Sequence, residues 1–154
     1  MNQPEKIEYS EKELSELVKF LKKVDRAFSP ALSHRVSLPE YADKILQRAE
    51  VFGIYDAKHD LVASFAVYAN NHTSGVAYVS FIATASMSRG KGLGSKLIDC
   101  MISRCRELNM RYIKLEVCRQ NQVAIKLYTK FGFRECADQA SITRSEASAM
   151  ILPI

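Results

Sequence analysis

A nine-residue stretch between a strand-like run and an amphipathic run constrains this chain more than any other feature. Ser88-Arg89-Gly90-Lys91-Gly92-Leu93-Gly94-Ser95-Lys96 places three glycines at alternate positions. Val76 to Thr84 precedes it with strand character, and Leu93, Leu97, Ile98, Met101, Ile102, Cys105 and Leu108 follow at helical spacing. Without Cβ atoms such a turn can take positive φ and approach a ligand closely. The first amides of the following helix have no intrahelical acceptor and point outward. A nest of this kind binds phosphate oxygens. The helix dipole and the side chains of Arg89, Lys91 and Lys96 add positive potential at the same place, so a pyrophosphate is a natural guest. A turn that only caps a helix needs a single glycine or hydroxyl, and three glycines cost backbone entropy.

Spacing separates the known phosphate-binding loops. The nucleoside triphosphatase loop requires G-x-x-x-x-G-K-[ST], whereas Gly94-Ser95-Lys96 transposes the lysine and the hydroxyl. The dinucleotide fingerprint G-x-G-x-x-G starts at Gly90 but meets Ser95 where its third glycine belongs. It also opens a parallel sheet, while here helices and strands precede it and little chain comes after.

Around the turn, the hydrophobic period outlines helices first, then strands, then a strand–helix–strand–helix crossover. Leu14, Leu17, Val18, Leu21 and Val24 mark one helix, ending at Phe28-Ser29-Pro30, and Tyr41, Ile45 and Leu46 mark a second that starts near Ser37. Val51 to Tyr55, Leu61 to Tyr68 and Val76 to Thr84 form three antiparallel strands joined by turns. After the long helix, Tyr112 to Cys118 is a strand and Asn121 to Lys130 a short helix stopped by Gly132. Phe133 to Cys136 and Ala147 to Leu152 make a final hairpin around a polar Asp138 to Glu146 connection. At 154 residues the expectation is one domain over residues 1–154.

The remaining function classes narrow on charge and cysteine use. The net charge of +5 favours anionic partners, but the basic residues are dispersed and no aromatic nucleic-acid signature accompanies them, so no specific nucleic acid is expected. Cys100, Cys105, Cys118 and Cys136 show no C-x-x-C spacing, and His34, His59 and His72 do not cluster near them, so no metal is expected. Met1 to Glu13 lacks an apolar leader, and no run reaches a membrane span; the expectation is a cytoplasmic protein with buried thiols and no membrane partner.

Arg89-Gly90-Lys91-Gly92-Leu93-Gly94 reads as Arg-x-x-Gly-x-Gly, five residues after Ile82-Ala83-Thr84, and Asn121-x-x-Ala124-x-x-x-Tyr128-x-x-x-Phe131-Gly132-Phe133 lies downstream. With these two motifs the chain resembles the GCN5-related N-acetyltransferase (GNAT) family over most of its length. From Leu115-Glu116-Val117 through Tyr128, and again at Met150-Ile151-Leu152-Pro153-Ile154, it is similar to the bacterial ribosomal-protein alanine N-acetyltransferases.

The resemblance implies an α+β, three-layer α/β/α acyl-CoA N-acyltransferase fold, a mixed, mostly antiparallel sheet with flanking helices, and acetyl-coenzyme A (acetyl-CoA) as cosubstrate. It implies that the pyrophosphate lies on the amides of Arg89, Gly90, Lys91, Gly92, Leu93, Gly94 and Ser95. The pantetheine arm then runs as an extra strand beside Ile82, Ala83 and Thr84, and a main-chain N–H between the two splayed strands polarises the thioester carbonyl. Tyr128 becomes the acid that protonates the departing thiolate, against the plainer reading of a core aromatic. Glu116 becomes the base that takes the amine proton; it also fits a solvated strand residue paired with Lys114, with Tyr78 or a water chain as substitute base. Asn121 fits both a helix cap and a cofactor contact.

The expected activity is N-acetylation of a primary amine by direct attack in a ternary complex; the rival is a non-catalytic acetyl-CoA-binding sensor or scaffold. The acceptor is a small molecule, an amino sugar, an amino acid or a peptide N-terminus, shaped by residues near Phe28 to Tyr41 and by the final hairpin. Monomer and homodimer are both open.

Overall fold

The computed structural model describes residues 3–136 and 147–154. In chain order the elements are β1 (Glu5–Lys6), α1 (Glu11–Val24), α2 (Leu38–Arg48), β2 (Glu50–Tyr55), β3 (Leu61–Tyr68), β4 (Val76–Thr84), α3 (Leu93–Glu107), β5 (Tyr112–Cys118), α4 (Gln122–Lys130), β6 (Arg134–Cys136) and β7 (Ala147–Pro153). Short 3-10 turns occupy Asp25–Ala27, Leu32–His34 and Ser86–Ser88.

Among the described residues the strands form one sheet in the order β1-β2-β3-β4-β5-β7-β6, in which only β4 and β5 pair in parallel. That parallel pair is the reason for α3: two parallel neighbours need a crossover, and a 15-residue helix supplies it. One apolar cluster lies under α1 and α2, with Leu17, Phe20, Leu21, Ala42, Ile45, Ala66 and Phe81 buried. A second lies under α3, with Phe65, Leu97, Ile98, Met101, Ile113, Leu115 and Phe133 buried. The three layers expected from the sequence are therefore present. Each large side chain so buried contributes roughly 1.5–3 kcal/mol.

Local chemistry sets the helix starts. Ser10 accepts from the Glu13 amide, Ser37 from that of Glu40, and Asn121 from that of Ala124, each satisfying an N-terminal donor that has no acceptor within its helix. Among the described residues no helix is long and apolar enough to cross a membrane.

Several expectations are corrected. A strand, β1, precedes the helices; Glu5 and Lys6 are exposed and show no apolar alternation, and they are held by backbone pairing to β2 and by the buried Ile7 next in the chain. α1 ends at Val24, and a 3-10 turn carries the chain on to Phe28. Phe20, absent from the expected apolar face, is buried, while Leu14 and Val18 are half-buried. Of the four free cysteines only Cys105 is buried; Cys100, Cys118 and Cys136 are half-buried. The final hairpin pairs as expected, with β7 inserted between β5 and β6, but its Asp138 to Glu146 connection lies outside the described residues.

A β-bulge interrupts β4. Val79 pairs with Val67 and Phe81 with Ala66, so Ser80 is the extra residue. The alternation flips there: Ala77 and Val79 pack toward α3, but Phe81 and Ala83 pack toward α1 and α2. A bulge bends and twists its strand. The Tyr41 hydroxyl on α2 hydrogen-bonds the Ser80 hydroxyl and pins the bend.

Candidate active site

Pairing between β4 and β5 stops at Tyr78↔Lys114. Beyond it, β4 bends at Ser80 while β5 continues along β7, pairing through Cys118↔Ala147. The two strands part and open a cleft of about 570 Å³. Its walls include Ile82, Ala83 and Thr84 from β4, Glu116 from β5, Arg89 and Gly94 from the glycine turn, and Asn121 and Tyr128 from the α4 segment. Ala27, Phe28, Ser29, Arg35 and Ala147 also line it, which brings in the segments expected to shape an acceptor pocket.

The open edge of β4 carries main-chain hydrogen-bonding groups. The Ala85 amide donates to Val62 on β3, so by strand alternation Thr84 and Ile82 turn their N–H and C=O groups to the cleft side. Arg89 confirms that direction, its Nε donating to the Thr84 carbonyl at 3.3 Å.

Gly90 and Gly92 have φ of +79° and +77°, a left-handed conformation that side chains disfavour. No atom lies within 4 Å of where a Cβ would stand on either, so backbone conformation rather than crowding selects glycine there. Gly92 caps α3, and the helix's first closing bond runs from the Lys96 amide to the Gly92 carbonyl. The amides of Leu93, Gly94 and Ser95 are thus left without acceptors in the helix. Gly94 is a different case, because a Cβ there would lie 2.9 Å from Leu127 Cδ2: it lets α3 and α4 approach. Of the turn residues Arg89 and Gly94 line the cleft wall itself; Gly90, Lys91 and Gly92 are exposed above it, Leu93 is buried beneath, and Ser95 is half-buried.

Tyr128 is 7% exposed and packs against Phe133 with ring centroids 5.8 Å apart. Its hydroxyl has no hydrogen-bond partner among the described residues, although a buried phenol usually has one. Burial pushes its pKa up to about 12, so it is a protonated group at neutral pH. Glu116 lies on the other side of the sheet from the buried Ile113, Leu115 and Val117, and accepts from the Tyr78 hydroxyl at 3.3 Å. Asn121 uses its side-chain oxygen to cap α4. The acid-like phenol and the carboxylate thus face one gap from opposite faces of the sheet.

The sequence matches the Acetyltransferase (GNAT) family over residues 18–133. The chain belongs to the GNAT acetyltransferase family. This GNAT chain has the fold of several solved relatives. An acetyltransferase of the GNAT family from Staphylococcus aureus Mu50 is 17% identical, covering 97% of this chain and 98% of that one, with a TM-score of 0.76. The ribosomal-protein-S18-alanine N-acetyltransferase of Escherichia coli is 21% identical, covering 98% and 94%, with a TM-score of 0.75. A Bacillus subtilis acetyltransferase solved in complex with CoA is 18% identical, covering 99% and 98%, with a TM-score of 0.72. No curated protein sequence matches the chain.

Two features of this GNAT site were not singled out by sequence reasoning. The Ser80 bulge sits inside an otherwise regular strand, and its only signal is a small hydroxyl among apolar neighbours. Arg35 reads as an ordinary loop cation until the fold brings its segment to the cleft.

Proposed function

We propose that this GNAT chain is an acetyl-CoA-dependent N-acetyltransferase that acetylates a primary amine by direct attack within a ternary complex. The observation that carries the reading is the buried Tyr128 hydroxyl, without a partner among the described residues, at the gap where β4 and β5 part. The residues present fit the cosubstrate. The amides of the Arg89 to Ser95 turn suit a pyrophosphate, and the cleft-facing main-chain groups of Ile82 and the Thr84 amide suit the two amides of a pantetheine arm. Ala83 lies between Ile82 and Thr84 as a wall residue: by the same alternation its main-chain groups turn to β3, and its side chain is buried toward α1 and α2. Asn121, already a cap, borders the same wall. The B. subtilis neighbour bound to CoA supports the same assignment.

Acetyl-CoA supplies an acyl group activated as a thioester. Glu116, held by Tyr78, accepts the proton that an ammonium must lose before its nitrogen has a lone pair to attack. Main-chain N–H groups at the strand gap stabilise the carbonyl oxygen as charge develops on it. Tyr128, kept protonated by burial, returns a proton to the leaving thiolate. No side chain needs to carry the acyl group, and Cys105, the buried thiol, packs in the core under α3.

The test has two steps. Acetyl-CoA should raise the melting temperature, and free thiol should then be released in proportion to added amine. Binding without turnover across a broad amine panel overturns the reading in favour of a non-catalytic acetyl-CoA module.

A further inference from the structure

Among the described residues the cleft lining includes two cations and one anion: Arg89, whose Nε bonds the Thr84 carbonyl, Arg35 and Glu116. The anion has a partner in Tyr78. The Arg35 guanidinium has none among the described residues: its main-chain amide bonds the Leu32 carbonyl at 3.0 Å, and its side chain makes no hydrogen bond or ion pair.

The segment that carries Arg35 is nonetheless fixed. Leu32 is buried, and the Val36 amide returns to the Leu32 carbonyl. The Ser33 amide and hydroxyl donate to the Asp25 carboxylate at 2.7 and 2.5 Å. Those bonds hold the Asp25 carboxyl below its usual pKa and leave that acid committed to Ser33. Arg35 also lies close enough to Tyr41 for its charge to act on the phenol, and Tyr41 is bonded to Ser80 at the bulge. A guanidinium on a fixed segment, unpaired among the described residues, therefore stands where the strands part, on the same side of the sheet as the Tyr78–Glu116 pair.

We propose that the acceptor amine carries an anionic group, a carboxylate or a phosphate, which Arg35 binds while Glu116 faces the nitrogen. This rests on the acetyl-transfer reading above. The planar fork of an arginine matches either oxyanion with two parallel hydrogen bonds, which a lone ammonium does not reproduce. The anion is a spectator in the chemistry. A C–N bond forms, the C–S bond breaks, the amine proton leaves toward Glu116 and the thiolate takes the proton of Tyr128. Polycationic amines meet a like charge at Arg35, and a peptide N-terminus offers an amide where a free amino acid has its carboxylate.

The experiment compares matched amines: amino acids of increasing chain length, each with its carboxamide, and phosphoethanolamine with ethanolamine. Wild type is expected to favour the anionic member of a pair by about tenfold or more in kcat/KM, mostly through KM. Arg35→Gln should bring that member down to the level of its neutral counterpart, and Arg35→Lys should restore part of the preference. The melting-temperature rise with acetyl-CoA reports that each variant is folded. The pair that shows the Arg35 dependence identifies the anion, and the chain length that turns over best measures its distance from the amine. Equal rates for acid and amide in wild type overturn the proposal, as does a preference that survives in Arg35→Gln. Should no amine turn over, acetyl transfer fails, and Arg35 is still judged: in the presence of CoA the anionic amines must raise the melting temperature of wild type but not of Arg35→Gln, and no difference overturns the proposal.

Discussion

The Tyr78 hydroxyl on β4 donates to Glu116 Oε2 on β5 across 3.3 Å; Tyr78 stands in the last backbone pair that joins those strands, and Glu116 lies two residues beyond its partner Lys114. Where main-chain pairing stops, a side-chain bridge takes over, and it holds the carboxylate at the mouth of the gap. Tyr78 is 40% exposed, so the bridge is worth little to stability and its consequence is orientation.

Removal of the bridge should therefore show in rate. Tyr78→Phe is expected to lower kcat/KM severalfold with the denaturation midpoint almost unmoved. Glu116→Gln should cost about 10²-fold at neutral pH. Its deficit should shrink as pH rises through the pKa of the amine itself, because an already neutral amine no longer needs the carboxylate. A deficit independent of pH contradicts the role given to Glu116.

Tyr128→Phe keeps the ring that packs on Phe133 and removes only the hydroxyl, which has no partner among the described residues. Turnover should fall by about 10²-fold or more, with the affinity for acetyl-CoA nearly intact. Because burial raises this phenol to about 12, its acid form persists through neutral and mildly alkaline pH, and no alkaline limb from Tyr128 should appear below pH 10. Titration with acetyl-CoA and a pH–rate profile read both outcomes.

The glycines of the turn should separate by mechanism. Gly92→Ala forces a side chain into a left-handed conformation in open space, costing roughly 1–2 kcal/mol and weakening acetyl-CoA binding. Gly94→Ala instead pushes on Leu127 of α4, the helix that carries Tyr128, and should lower kcat more than affinity. Denaturant titration and acetyl-CoA titration of the two variants distinguish these effects.

Alkaline pH should destabilise the fold. Burial pushes Tyr128 and Tyr41 up to about 12 from 10.0, and the thiol of Cys105 up to about 12 from 9.0. The unfolded chain releases these protons first, so the stability they support is fully present below about pH 9 and is lost as pH climbs toward 12. The denaturant midpoint should be flat from about pH 7 to pH 8 and fall above about pH 9, less steeply in Tyr41→Phe. A midpoint constant to about pH 12 contradicts the burial of these groups.

What the sequence discloses depends on whether a residue's meaning is local. Leu61–Tyr68, Val76–Thr84 and Tyr112–Cys118 are strands at their expected bounds because apolar periodicity is a local signal, and the turn at Gly90 and Gly92 is legible because left-handed backbone selects glycine. The face of Glu116 comes from simple alternation with Ile113, Leu115 and Val117. β1 escapes notice because its pairing uses backbone alone. The bulge at Ser80 escapes because one extra residue leaves the composition of β4 unchanged while reversing which face Phe81 presents. Arg35 escapes because the cleft it lines is built by β4 and β5, distant in the chain.

The most direct test of acetyl transfer at this cleft is a two-substrate initial-rate measurement that tracks free thiol and acetylated amine together, for wild type and Tyr128→Phe. Equal amounts of both products, intersecting reciprocal plots and a slow but acetyl-CoA-binding Tyr128→Phe are the predicted result. Acetyl-CoA bound by wild type with thiol released no faster than in buffer would contradict it.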